Sequence, residues 1–472
     1  MNLSDCSRRD FVKAVGLGAV GWVISEVAAK AEAAGDRKPN IIFILGDDLG
    51  WAELGCYGNS FNETPNLDRL AKQGVRFTDA YAAAPVCSPY RAALMTGQYP
   101  ARVGITDYLR PDDKNHLAQR CVTIAEILRK AGYATGIIGK WHLTGYANHG
   151  AREFPPQMHG FDETIVSENR GIGGGSYFHP YHFNREIDRR LPEKEHLVDR
   201  CNIEAVEFIE RHKSRPFFLY LSHYAVHTRL EGKPEFVSEF EKKPGAGKGQ
   251  NASRNNPHLA ALLKSIDEGV GMIVDKLDAL GLTGRTVVVF TGDNGGENRV
   301  TSNAPLRAGK STLYEGGIRV PLIVRYPPVV PAGGVCATPT SNIDFYPTFC
   351  QIVDARPDGG QHIDGVSILP LLKNPQSELK RDTLFWHYPL DKPHFLGGRS
   401  TGAVRKGHWK LIEFFDSGQK ELYNLADDIS EQNNLAGKNL QKVAELQELL
   451  VAWREDAGAR IPGGRQGGAI PS

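Results

Sequence analysis

Four segments of this chain place polar, chemically able residues directly after short apolar runs. Asp47 and Asp48 follow Asn40–Leu45 and a glycine; Lys140 and His142 follow Ala134–Ile138 and Gly139. His227 comes a few residues after Phe217–Leu221, and Asp293-Asn294 follow Thr286–Phe290. Three aspartates and an asparagine are hard oxygen donors, which suit Ca²⁺ or Mg²⁺ and disfavour zinc. An isolated Asp-Asp or Asp-Asn-Gly is ordinarily a turn or a cap; two such pairs, each at the end of an apolar run, make a cation site the better reading. A fifth segment, Cys87-Ser88-Pro89-Tyr90-Arg91, opens a helical stretch running through Arg91 to Met95. Ser88 is expected to cap it and Pro89 to fill its first position. Cys87 then sits beside a helix N-terminus, where free N–H groups attract anions. Taken bare, such a cysteine is either a packed apolar residue or a thiol of lowered pKa.

The elements that must position these groups follow from the patterning. Apolar runs without alternation are strands covered on both faces, as in a parallel sheet flanked by helices. In such a sheet, ligands bind beyond the carboxyl ends of the strands, so the residues above share one rim. Helices are expected between the strands: one from a Thr64 cap and Pro65 to a stop at Gly74, another over 257–280 with Leu259, Leu262, Ile266, Val270, Ile273 and Leu277 on one face. The fold class is therefore α/β, a large doubly wound, mostly parallel sheet with helices on both faces. Beyond about residue 370, Thr383–Tyr388, Gly402–Phe415 and Glu421–Leu425 read as short strands with turns at Lys406-Gly407 and Ser417-Gly418, followed by an amphipathic helix over Leu440–Trp453. The expected organisation is an export signal over 1–34, a catalytic α/β domain over 35–370, a smaller α+β domain with an antiparallel sheet over 371–460, and a flexible tail over 461–472. Residues 231–257, rich in Pro, Gly and Lys, read as a surface insertion.

The N-terminus carries Arg8-Arg9, a short apolar run over Ala14–Ile24 and a small-residue stretch over Ala28–Ala34. That order describes an export signal of twin-arginine type, too short to span a bilayer, and implies a periplasmic or extracellular destination. In 472 residues the formal net charge is +1, so neither nucleic acid nor any other charged polymer is implied as a partner, and an anionic substrate has to be held by local charges. Seven cysteines occur with no C-x-x-C spacing, so zinc and dithiol motifs are unsupported; disulfides are permitted and not predicted.

Taken together these motifs resemble the sulfatase family of the alkaline-phosphatase-like superfamily over residues 38 to about 455. Cys87-x-Pro89-x-Arg91 matches the motif at which a formylglycine-generating enzyme oxidises the cysteine. Asp47-Asp48, Thr96-Gly97, Gly139-Lys140-Trp141-His142, Gly160-Phe161-Asp162, Asp293-Asn294-Gly295, Lys310 with Glu315-Gly316-Gly317, and Glu421-Leu422-Tyr423-Asn424-Leu425 with Glu431 follow in the family's order. The resemblance implies sulfate-ester hydrolysis, with a sulfated carbohydrate as the expected substrate. The hydrated aldehyde at position 87 attacks sulfur, and collapse of the sulfated intermediate releases sulfate. It implies Asp47, Asp48, Asp293, Asn294 and residue 87 as ligands of Ca²⁺, with Mg²⁺ as the alternative. His142 is implied as the base for the collapse, with Arg91 steadying the diol. Lys140, His227 and Lys310 are implied as sulfate contacts, with His227 or Lys310 as the acid for the leaving group. Ser167 stands where the family often has a further sulfate contact.

The chain also departs from the pattern. Gln98 stands where an arginine is common, and Arg229 replaces a frequent proline two places after His227. Arg229 is either a contact for an acidic sugar or a solvated loop residue. Ala304–Ser311 lacks the first glycine of a P-loop, and Gly171–Gly175 lacks the strand-to-helix setting of a dinucleotide fingerprint. His179, His182 and His387 read as exposed loop residues. Substrate recognition is expected from 165–195, from 225–257 and from Trp386 to His394. Two rival functions share the motifs: a phosphodiesterase or phosphonate monoester hydrolase, and a catalytically silent glycan-binding protein with unmodified Cys87.

Overall fold

A computed structural model describes residues 38–144, 154–170, 177–192 and 194–462. The expected export signal, the Gly171–Gly175 segment and most of the C-terminal tail lie outside these residues. No helix among the described residues is long and apolar enough to cross a membrane.

The strands, in chain order, are β1 (Asn40–Gly46), β2 (Val75–Tyr81), β3 (Ala134–Gly139), β4 (Glu163–Ile165), β5 (Phe217–Ser222), β6 (Thr286–Gly292), β7 (Arg319–Arg325), β8 (Gly334–Cys336), β9 (Thr340–Ser341), β10 (Thr383–Tyr388), β11 (Thr401–Lys406), β12 (Trp409–Phe414) and β13 (Lys420–Asn424). Nine of them form one sheet in the order β4-β3-β5-β1-β6-β7-β2-β8, with β9 pairing β2. The first five of that order are mutually parallel, and β7 alone runs against its neighbours on both sides. Strands β1, β3, β5 and β6 are buried along their whole lengths, as their unbroken apolar runs require. One cluster of core side chains lies on each face of the sheet: Phe43 and Tyr220 belong to the first, Ile44 and Leu221 to the second.

Register levels the strand ends. Gly46 pairs with Gly292, and Ser222 faces both Leu45 and Gly139. The ladder then continues one step past the strands, with Lys140 N–H donating to Ser222 O at 2.8 Å and Asp293 N–H to Gly46 O at 3.2 Å. Gly139 is required here: its φ is +97°, and a Cβ on it would stand 2.1 Å from the Ser222 carbonyl oxygen. Because β7 is antiparallel, its start at Arg319 lies at the same rim, beside Tyr81 at the end of β2. The segments carrying Cys87 and Lys310 are thereby delivered to the edge that holds the aspartates.

Several local expectations are corrected. The Pro65–Lys72 helix is not capped by Thr64; the Asp267 carboxylate, from the long Pro257–Ala279 helix, accepts from the N–H groups of Asn66 and Leu67 at 3.1 and 2.8 Å. A remote carboxylate outcompetes the local hydroxyl because it is charged and accepts from two orphan donors at once. Likewise the Cys87–Thr96 helix starts at Cys87 itself, and Ser88 Oγ instead accepts from Leu109 N–H at 2.9 Å. Residues 231–257 are not a bare insertion: they contain the helix Pro234–Glu241, whose Val237 and Phe240 are buried in a small core with Phe61. The six described cysteines are free.

Strands β10–β13 form a separate antiparallel sheet, with the helix Leu440–Ala457 beside it. Its contact with the large sheet is partly apolar, Trp386 and Ile412 joining Tyr81, Val86 and Ile318, with Trp386 Nε1–H donating to Ala82 O at 2.7 Å. It is also ionic. Lys410 on β12, fully buried, reaches Glu315 at 2.8 Å and Glu431 at 2.9 Å. Burial alone would raise Glu315, yet Lys410, Arg319 and Arg405 pull it down to about 2. Burial pushes Glu431 up to about 7, opposed by Lys410 and aided by Glu315. Removing the shared cation leaves two buried carboxylates facing each other. Lys410→Met is expected to cost about 3–5 kcal/mol of stability, read as a lowered urea midpoint; a loss below about 1 kcal/mol would refute that role.

Candidate active site

The rim brings together all ten residues assigned to metal and catalysis by resemblance. Asp47, at the end of β1, is the hub: Lys140 Nζ donates to its Oδ2, Cys87 Sγ lies 3.5 Å from Oδ1, and the Arg91 guanidinium lies 3.7 Å away. Asp48 takes Lys310 Nζ at 2.7 Å, Asn294 Nδ2 at 2.8 Å and His227 Nε2 at 3.8 Å. Arg91, on the first turns of the Cys87 helix, donates to Asp293 at 2.9 Å and to Lys140 O at 3.0 Å. Three carboxylates therefore face three fixed cations, so the described side chains alone are balanced.

Electrostatics follow from that arrangement. Burial would raise Asp47, but Lys140, His227, Arg91 and Lys310 hold it well below the usual carboxylate range. Asp48 is also lowered, Lys310 and His227 overcoming its burial. Asp293 goes the other way: burial and the neighbouring Asp47 charge push it up to about 7 against Arg91 and Lys140. Burial also pushes the Cys87 thiol up to about 12, with Asp47 adding to the effect and Lys140 opposing it. In the metal-free site an unmodified Cys87 is then a neutral thiol and a poor nucleophile.

The residues present fit a hard divalent cation. Donor atoms of Asp47, Cys87 and Asp293 lie within 4.8 Å of one another, as do those of Asp48, Cys87 and His227. Asn294 Oδ1 is buried with no hydrogen-bond partner, an acceptor left for something the protein itself does not supply. Carboxylate and amide oxygens are the donors Ca²⁺ and Mg²⁺ prefer.

His142 is held in one tautomer. Its Nε2 lies 2.8 Å from the Leu109 carbonyl oxygen, which only accepts, so Nε2 carries the proton and Nδ1 keeps its lone pair. Nδ1 is buried without a partner. Burial, with Lys140 nearby, holds the imidazole well below its ordinary pKa and therefore neutral. Sequence reasoning missed the group behind it. Glu168 accepts from Trp141 N–H at 3.0 Å, from His142 N–H, and from Tyr224 O–H at 2.9 Å. No local motif flags Glu168, since its partners lie 26–56 residues away. Glu168→Gln replaces one accepting oxygen by a donor facing an N–H. A kcat reduced about tenfold, with about 1–3 kcal/mol of lost stability, is the expected outcome; unchanged kcat would show that Glu168 does not position His142.

The other assigned residues fall elsewhere. Ser167 Oγ donates to Gly139 O at 2.5 Å, which ties it to the strand end, and Arg229 is exposed. His387 is a correction: it is buried on β10, its Nε2 2.8 Å from Arg460 O, because the antiparallel sheet turns that face inward. Trp386 is likewise a buried anchor, so only the His394 end of that expected recognition segment reaches the pocket. The pocket at Cys87 has a volume of about 190 Å³ and is lined by His142, His227 and Lys310 together with Tyr108, Leu109, Pro111, His394 and Phe395.

Known proteins resemble this chain in sequence and fold. Residues 39–355 match the family model "Sulfatase", and residues 308–456 match "N-sulphoglucosamine sulphohydrolase, C-terminal". Mouse steryl-sulfatase is 32% identical, over 82% of this chain and 73% of its own. An N-acetylgalactosamine-6-O-sulfatase of Bacteroides thetaiotaomicron is 30% identical over 89% of this chain and 94% of its own. The crystal structure of Ps i-CgsB in complex with k-i-k-neocarrahexaose superimposes with a TM-score of 0.78 at 32% identity, covering 90% of this chain and 94% of that one. Fold, rim and comparisons define a sulfuric ester hydrolase. The chain belongs to the sulfatase family.

Proposed function

We propose that this protein hydrolyses sulfate esters of a carbohydrate, with residue 87 in its formylglycine form and a divalent cation, Ca²⁺ or Mg²⁺, held by Asp47, Asp48, Asp293 and Asn294. The observation that carries this reading is the pairing of three buried carboxylates with three buried cations around Cys87. The hydrated aldehyde supplies the nucleophile, and the cation adds the positive charge that an anionic ester needs. Lys140 and Lys310 hold sulfate oxygens against the nucleophile. His142, neutral with a free Nδ1, takes the proton whose loss releases sulfate. His227 or Lys310, both beside Asp48, gives a proton to the departing oxygen. The carbohydrate class is supported by relatives named for sulfated amino sugars and by the neighbour bound to an oligosaccharide. Export by the twin-arginine route and maturation by a formylglycine-generating enzyme complete the proposal.

The test is a parallel assay of the metal-loaded, modified protein on an aryl sulfate, sulfated monosaccharides and an aryl phosphodiester. Sulfate esters are expected to be preferred by at least about 100-fold in kcat/KM, or about 2.7 kcal/mol of transition-state discrimination. Equal or better turnover of the phosphodiester would replace this reading by that of a phosphodiesterase.

A further inference from the structure

The mouth of the pocket is built by a turn that belongs to neither the metal site nor the large sheet. Residues 389–400 connect β10 to β11, and within them His394 N–H donates to Gly398 O at 2.7 Å and Gly397 N–H to His394 O at 2.8 Å, closing a tight turn. Gly397, at φ +91°, permits it. Gly398 is pressed against the residue after Lys310: a Cβ there would stand 1.9 Å from Ser311 O. That close approach fixes His394 and Phe395 over the active-site lysine.

The two side chains offer different chemistry. Leu396 N–H donates to His394 Nδ1 at 3.1 Å, so the ring proton is on Nε2. His394 is 8% exposed and lines the pocket, and its Nε2 forms no hydrogen bond within the protein among the described residues. Phe395 is 68% exposed, an unusual position for a phenylalanine. One side of it meets His394, with ring centroids 4.4 Å apart, and the Arg299 guanidinium lies 5.3 Å from its centroid. Tyr108, edge-on to His394 at 5.5 Å, continues the wall. At about 190 Å³ the pocket falls short of the roughly 300–1,000 Å³ that engulfs a drug-sized ligand.

We propose that His394 and Phe395 are the specificity residues for the alcohol side of the ester: His394 Nε2–H donates to an oxygen of the ring carrying the sulfate, and Phe395 stacks against the apolar C–H face of that pyranose. The inference rests on the carbohydrate sulfatase reading and adds that one terminal sugar ring is gripped. Both contacts exist in ground state and transition state alike, so their loss falls on KM more than on kcat.

The experiment compares His394→Ala, His394→Gln, Phe395→Ala and wild type, all modified at residue 87 and metal-loaded. Steady-state kinetics are measured on a 6-sulfated N-acetylgalactosamine and the other sulfated monosaccharides that wild type turns over, together with inhibition by inorganic sulfate. KM is expected to rise about tenfold for each alanine variant, with partial rescue in His394→Gln, whose amide still donates. Inhibition by inorganic sulfate, which reads only the anion site, should move less than about twofold. Unchanged KM in both folded alanine variants, or a sulfate inhibition constant that rises in parallel with KM, overturns the inference while leaving sulfatase activity intact. A wild type that turns over no sulfated sugar overturns the carbohydrate reading and this inference with it.

Discussion

Cys87→Ala will abolish sulfate-ester turnover, by at least about 10⁴-fold, the scale of loss seen when a covalent nucleophile is removed. The substitution deletes one buried sulfur atom at the head of a helix and leaves the ion pairs of Asp47, Asp48 and Asp293 in place. The same loss is expected for protein whose Cys87 was never oxidised, because burial pushes its thiol up to about 12. Peptide mass spectrometry across residues 87–91 checks the cause: active preparations should carry a loss of about 18 Da, in proportion to their turnover. Activity within tenfold of wild type in the alanine variant would remove residue 87 from the mechanism.

Chelation is the second large effect. Stripping the cation should eliminate turnover, with recovery on adding Ca²⁺ or Mg²⁺ deciding which ion serves. Saturating metal at about 100 times Kd should also add roughly 2.7 kcal/mol of stability, raising Tm. The pH dependence has a definite sign. Burial and the Asp47 charge push Asp293 up to about 7 in the metal-free protein, so below that pH its carboxyl is protonated and, under the proposed function, metal binding must displace a proton. Affinity is expected to rise with pH through about 7 and then level. Without metal, the same raised carboxyl binds its proton more tightly folded than unfolded, so metal-free stability falls as pH rises from about 4 through 7. Calorimetry in buffers of different ionisation enthalpy measures the proton release directly. Metal uptake without proton release at pH 6 would remove Asp293 from the ligand set.

Much of this site was legible because its residues are tied to local pattern. Asp47-Asp48, Gly139-Lys140 and Asp293-Asn294 each follow an apolar strand, and strand order need not be known to see that parallel strands end at one edge. The antiparallel sheet and its helix were also readable, from turn signals and amphipathic spacing. Local capping rules fared worse. Thr64 and Ser88 are sound caps by residue type, yet the Asp267 carboxylate took the first role from a distance, and Ser88 Oγ is engaged instead by Leu109 N–H.

By itself, then, the sequence determined the chemistry: which donors exist, that they are hard oxygens and cations, and that they end strands of an α/β sheet. The tertiary structure alone decided what surrounds them. Glu168 behind His142, Lys410 between two glutamates, and His394 over Lys310 all depend on approaches between segments far apart in the chain. Their worth comes from burial, where a charge or a lone pair without a partner is costly and a matched one is held firmly. Burial is a property of the assembled core, and no local spacing encodes it.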